Sequence, residues 1–244
     1  MKRMAFVLPL ALVLAIAVAY SSLPVGSTEA DALPSSKAAV QTGDINVMEG
    51  LLGPGNTVTS WGTVLETNLR TSQQKDLLID VSAEIGLLTR TLVRSKNGDA
   101  DGASATAGVQ IRVVIDAGAA NQRIAEPGAV VFGRRTQTLT AIFQGIIEGC
   151  LTVDDEGNVI IDEECVLPEE LELILKTMNA NAFTFVLDDL GSGVHNVKVQ
   201  ARIVLANELL GTQLGEVEAK ALIGKGTLAV QEVRLVRDAD ITLD

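Results

Sequence analysis

Aromatic side chains are nearly missing from this chain of 244 residues: one Trp, one Tyr and five Phe, 3% of the total. Carbohydrate-binding clefts stack sugar faces on Trp and Tyr, so this shortage counts against a lectin and a glycoside hydrolase alike. Histidine is reduced to His195, which excludes a His-rich metal site and a His dyad. Two cysteines and one distant His fall short of the four ligands of a structural zinc. Positive charge is also scarce, with Lys plus Arg at 19 against Asp plus Glu at 31, a net charge of −12. Such a surface repels phosphate, and no nucleic-acid partner is expected. Only one apolar run approaches the roughly 20 residues of a membrane span, which excludes a bundle of spanning helices.

That run lies at the start of the chain. Lys2 and Arg3 precede an almost wholly apolar segment from Met4 to Ala19, the pattern of an export signal. Small-residue sites at Ala17-Val18-Ala19 and Ala30-Asp31-Ala32 place cleavage between residues 19 and 32. An uncleaved anchor is the competing reading, and it would be the chain's one membrane contact. Residues 1–32 are thus expected as a signal peptide, and the mature protein as secreted or on the cell surface. Residues 33–57 carry Pro34-Ser35-Ser36 and Gly53-Pro54-Gly55 with no sustained apolar period, and read as a linker or stalk. A second reading pairs Ala38-Ala39-Val40 or Ile45 to Met48 with a sheet edge, its own or a neighbour's.

Residues 58–244 read as one domain with clean period-2 patterning. Leu77, Ile79, Val81, Ala83, Ile85 and Leu87 share one face, and Asp76, Asp80, Ser82 and Glu84 the other. Ala107 to Ile115, Phe183 to Leu187, Val197 to Leu205 and Val217 to Ile223 alternate likewise. One face on a core and one in water is the antiparallel-sheet signature. Turn signals fall at Lys96-Asn97-Gly98-Asp99, Glu126-Pro127-Gly128, Asp188 to Gly193 and Gly224-Lys225-Gly226. Val233 and Leu235 slip out of phase with Leu228 and Val230, which predicts a β-bulge around Gln231-Glu232. The expected fold is all-β, an antiparallel two-sheet sandwich, jelly-roll or Ig-like, of about nine strands. One short helix is expected near 168–178. There Pro168-Glu169-Glu170 precedes Leu171, Ile174, Leu175 and Met178 at helical spacing, with Lys176 near the end.

Candidate chemistry is thin. His195 shares the parity of Val197 and Val199, at the entrance to a core-facing row, and reads as structural. A triad would recruit Ser192 with Asp188 or Asp189, but nothing in the sequence enforces that geometry. Aligning Gly157 with the glycine of a calcium loop makes Asp154, Glu156 and Glu163 calcium candidates, although the first ligand position would be Thr152. No other cofactor is expected. Cys150 and Cys165 flank a hairpin-like stretch, Leu151 to Val153 and Val159 to Ile161 around an acidic turn, and export would let them form a disulfide.

The stretch Gly193-Val194-His195-Asn196-Val197-Lys198-Val199 resembles the G-x-H-x-V-x-V strand of secreted and phage-borne β-sandwich modules. Gly226 to Val233 is similar to their final strand. The resemblance implies a β-sandwich with the Gly-x-His turn opening an inner strand, and it implies no activity. The expected function is a non-enzymatic secreted or surface protein with a structural, adhesive or partner-binding role. Its partner would be a protein or a surface, with self-assembly by strand addition as a sharper form. The alternatives are a secreted hydrolase using paired carboxylates and a calcium-stabilised binding module.

Overall fold

Alternating apolar side chains can be buried only if each strand lays one face on another layer, and the chain does this with two antiparallel sheets. The structure, a computed structural model, describes residues 38–95, 100–142, 151–161, 169–211 and 215–235. The expected signal peptide, Cys150, Glu163, Cys165 and the turn at Lys96 to Asp99 lie outside the described residues. Within them are twelve strands: β1 (Ala38–Leu52), β2 (Gly55–Val58), β3 (Gly62–Thr71), β4 (Lys75–Ser95), β5 (Ala100–Ile115), β6 (Arg123–Ile124), β7 (Val130–Ile142), β8 (Leu151–Val153), β9 (Val159–Ile161), β10 (Glu169–Leu190), β11 (Gly193–Leu210) and β12 (Glu216–Val233).

Sheet A runs β1-β12-β4-β10, and sheet B runs β2-β11-β5-β6, with β3 also on β11 and β7 also on β5. β4 packs over β5 and β7, β12 over β5 and β11, and β1 over β3. The core between them holds Leu77, Ile79, Val81 and Ile85 from β4 and Val109, Ile111, Val113 and Ile115 from β5. It also holds Val197, Val199 and Ile203 from β11 and Ala219, Ala221, Leu228 and Val230 from β12. These are the alternating sets of the sequence. Phe185 is fully buried among them, whereas Phe183, its ring 5.1 Å away, lies 37% exposed at the margin. Gln137 pins the layers together by accepting from the Thr89 hydroxyl (2.8 Å) and donating to Thr91 Oγ1 (2.6 Å) and the Leu173 carbonyl (2.7 Å).

Four expectations are corrected. Residues 169–178 are strand, not helix: β10 pairs with β4 without a break from Glu169↔Ser95 to Leu187↔Leu77. Leu171, Leu173 and Leu175 also alternate, and the long partner β4 decides between the two periods; tertiary pairing outweighs local propensity. Of the expected stalk, residues 33–57, the described part from residue 38 is mostly strand. β1 pairs with β12 from Ala38↔Gln231 to Leu52↔Glu218, the sheet-edge reading realised within the chain itself. Gly224-Lys225-Gly226 is not a turn but a bulge inside β12, where the register against β4 shifts between Ile223 and Gly226. The matching shift in β1 falls between Asp44 and Val47. The extra residue moves the buried set from odd positions up to Ile223 to even positions from Gly226. No bulge sits at Gln231-Glu232, because the ladder to β4 continues in register from Gly226 to Val233.

Candidate functional site

His195 stands second in phase in β11, and the strand's alternation turns its ring inward, 7% exposed. Its Nδ1 lies 2.8 Å from Asp116 Oδ2 and its Nε2 3.0 Å from the Gly191 carbonyl. Both neighbours are acceptor groups that hold the ring between them. Asp116 ends β5 in a left-handed conformation (φ 52°) and also accepts from the Asn196 N–H (2.9 Å) and the Asn121 amide (2.9 Å). Thr71 Oγ1 donates to the same Gly191 carbonyl at 2.5 Å. The result is a clasp joining the end of β5, the β10–β11 turn and the end of β3. The acids once considered for a triad face elsewhere: Asp188 pairs with Arg123 (3.0 Å), and Asp189 Oδ1 accepts from Gln74 (2.9 Å).

The acidic turn between β8 and β9 is closed in the same self-sufficient way. Leu151↔Ile161 to Val153↔Val159 form the expected hairpin. Asp154 Oδ1 accepts from the N–H groups of Glu156 (3.1 Å) and Asn158 (2.7 Å), and Oδ2 from the Asn158 amide (3.1 Å). The Asn158 side chain first, then its backbone N–H, holds the Asp154 carboxyl below its ordinary value. Both carboxylate oxygens of the leading calcium candidate are thus engaged by the turn itself, and Glu156 is exposed. Among the described residues no three His, Cys, Asp or Glu side chains come together as a metal cluster.

Two concave surfaces lie instead on the outer face of sheet A, where the strand registers align side chains in rows. One row is Met48–Leu222–Gly86–Met178. The next is Gly50–Lys220–Leu88–Lys176, and the third Leu52–Glu218–Arg90–Ile174. Gly86 has no side chain because Leu222 lies across it; a Cβ there would stand 2.7 Å from Leu222 Cγ. Met48 (70% exposed), Met178 (60%), Leu88 and Leu222 line a groove of about 520 Å³ with Lys176 and Lys220 at its side. At one end Arg90 bridges Glu172 and Glu216 (3.2 Å to the latter), and Arg94 bridges Glu170 (2.7 Å) and Glu216 (3.3 Å). The Glu172 hydrogen bond in particular raises the Arg90 pKa above its ordinary value. At the other end the paired bulges open a polar depression of about 590 Å³ lined by Thr42, Asp44, Ser82, Glu84, Lys225 and Thr227.

The sequence places Met48 in a linker or edge segment, Lys176 and Met178 in a helix and Lys225 in a turn, and so does not show the groove. The signal was present: Leu88, Leu222, Met48 and Met178 are apolar at outward positions. Seeing them as one surface requires the register of four strands, which no local pattern supplies. On sheet B the outer face carries a different block. Arg112 and Arg202 stack on Trp61 at 4.5 and 4.6 Å from its ring centroid, and their Nε atoms donate to Gln200 and Gln110 (2.9 and 2.7 Å).

The sequence matches no protein-family model and no curated protein. Among solved structures it is similar to chains in structures of infectious bursal disease virus. The Gt-strain structure gives 13% identity and a TM-score of 0.18, covering 86% of this chain and 45% of that one. The VP2 subviral particle gives 8% identity and a TM-score of 0.16 over 86% and 45%. This chain spans less than half the length of those viral chains.

Proposed function

We propose that this is an exported, non-enzymatic β-sandwich that works by presenting the outer face of sheet A to a partner, in a structural or adhesive role. The observation that carries the reading is the apolar groove around Met48, Leu222 and Met178, set between a polar depression and an ion-pair ladder on one continuous face. Exposed apolar rows rimmed by charge are what a docking surface requires. Lys176 suits an apolar segment bearing a carboxylate, while Lys220 is paired with Glu218. The residues with the chemistry for catalysis point the other way, since His195 and Asp154 are committed to internal hydrogen bonds.

A photo-crosslinking side chain at Met48, introduced in the native host, should link the exported protein to its partner, while the same probe at Thr138 on sheet B should not. Equal labelling from both faces, or retention of the protein inside the cell, would overturn the reading. Export also places Cys150 and Cys165 in an oxidising compartment. Because Leu151 stands opposite Ile161, the segments carrying both thiols begin at neighbouring strand ends. A bridge closing this loop of about 15 residues stabilises the fold by about 3 kcal/mol in the chain-entropy model. Thiol titration of the denatured, unreduced protein should find no free thiol, and two per chain would remove the bridge.

A further inference from the structure

We propose that the free edge of β10 is a docking strand for a second copy of this chain, joined antiparallel about a two-fold axis. The proposal goes beyond the surface-binding reading above and concerns a different surface, the edge of sheet A rather than its face.

The direction of the unpaired backbone groups follows from one contact. Glu126 N–H donates to the Val186 carbonyl (2.8 Å), and Val186 N–H donates to the Glu126 carbonyl (3.0 Å). This exchange lies on the side of β10 away from β4. Because β10 pairs with β4 without a register shift from Glu169 to Leu187, the direction alternates strictly along it. Every even-numbered residue from Glu170 to Thr184 therefore points its N–H and C=O away from β4. Among the described residues no strand meets them there, and β10 is the last strand of sheet A. The contact with Glu126 closes this edge at one end.

The usual protections of an edge are missing. Between residues 170 and 184 there is no Pro, no Gly and no bulge, and Lys176 is the only Lys. Leu171, Leu173 and Leu175 are exposed on one face of the strand, and Ile174 and Met178 on the other. The charges are self-complementary when the strand is reversed. A two-fold axis at Leu173 sets Glu170, whose carboxylate also pairs with Arg94 of its own sheet, opposite Lys176 of the second copy, and symmetry repeats the pair. It also sets Leu171 opposite Leu175 and Leu173 opposite its own counterpart. The neighbouring register, with the axis at Ile174, keeps a charge pair between Glu172 and Lys176. Axes at Glu172 or Lys176 would set like charges opposite each other. An isologous contact of this kind closes as a dimer instead of propagating, and it fuses the two copies of sheet A into one.

Sedimentation velocity of the full chain across a micromolar concentration series tests this, with two variants and a swap. Ile174→Pro removes an outward N–H that no internal bond uses, so it should yield a folded monomer with an unchanged far-UV spectrum. Lys176→Glu sets like charges opposite each other and should weaken association by roughly tenfold. Combining it with Glu170→Lys should restore association. A wild-type chain that stays monomeric, or a dimer indifferent to all these changes, would overturn the proposal. If Ile174→Pro fails to fold, the charge swap decides. A β10 dimer without crosslinking from Met48 would refute the surface-binding reading alone, and a monomer that crosslinks from Met48 would refute the dimer alone.

Discussion

His195 illustrates what a single polar residue does in a chain with so few reactive groups. Its inward parity with Val197 and Val199 could be read directly from the sequence. Its partner Asp116 could not, because the two meet only through the β5–β11 ladder, in which Val197 stands opposite Ile115. The side chains of His195 and Asp116 are 9% and 12% exposed, so removing the ring takes one hydrogen-bond partner from a mostly buried carboxylate. His195→Ala should lower stability by about 1–3 kcal/mol. Urea denaturation followed by Trp61 fluorescence measures it, and an unchanged midpoint would show the clasp to be idle. Gly86 is a residue of the opposite kind, important for what it lacks. In Gly86→Ala the new Cβ meets Leu222 at 2.7 Å from Cγ, and the leucine must leave its place across the sheet. The expected cost is about 1–3 kcal/mol, by the same denaturation assay. The displaced leucine would also fill the groove and reduce crosslinking from Met48.

Whole strands were readable where both faces differ and unreadable where they do not. β4, β5 and β11 bury one face completely, so alternation alone locates them. The first half of β10 exposes apolar residues on both faces, and the helical spacing of Leu171, Ile174, Leu175 and Met178 is a coincidence within that pattern. The bulge in β12 was mistaken for a turn because Gly-Lys-Gly suits both; only ladders continuing on either side distinguish them. The β8–β9 hairpin was legible from its turn residues, and its stability has a definite pH signature. Asp154 has a folded pKa below its ordinary value, so its contribution is present above the unfolded value and is lost as pH falls through the folded one. Below that point the N–H groups of Glu156 and Asn158 lose their acceptor. Their amide resonances should shift together on acidification, and Asp154→Ala should abolish the transition. A transition that survives the substitution would assign it to another group.

At the scale of the molecule, the first described strand lies beside the last, so the fold is closed by its most distant pairing. β1 covers one whole side of β12 from Glu218 to Gln231 and buries Ile45 at 4% exposure. Ala39 and Leu51 pack against the same core. Sequence composition hid this, because Gly43, Gly50, Gly53 and Pro54 look like linker when the partner strand is out of view. Deleting residues 38–52 would strip β12 of its ladder and leave a long apolar edge open to other chains. Burial of Ile45 alone is worth about 1.5–3 kcal/mol. The shortened protein should therefore unfold at a lower urea concentration and aggregate as its concentration rises, whatever happens at the β10 edge. A synthetic peptide of residues 38–52 should restore the midpoint by adding the missing strand in trans, since main-chain pairing and the alternate pockets for Ala39, Ile45 and Leu51 remain in place. An unchanged midpoint after the deletion would mean that sheet A is complete without β1.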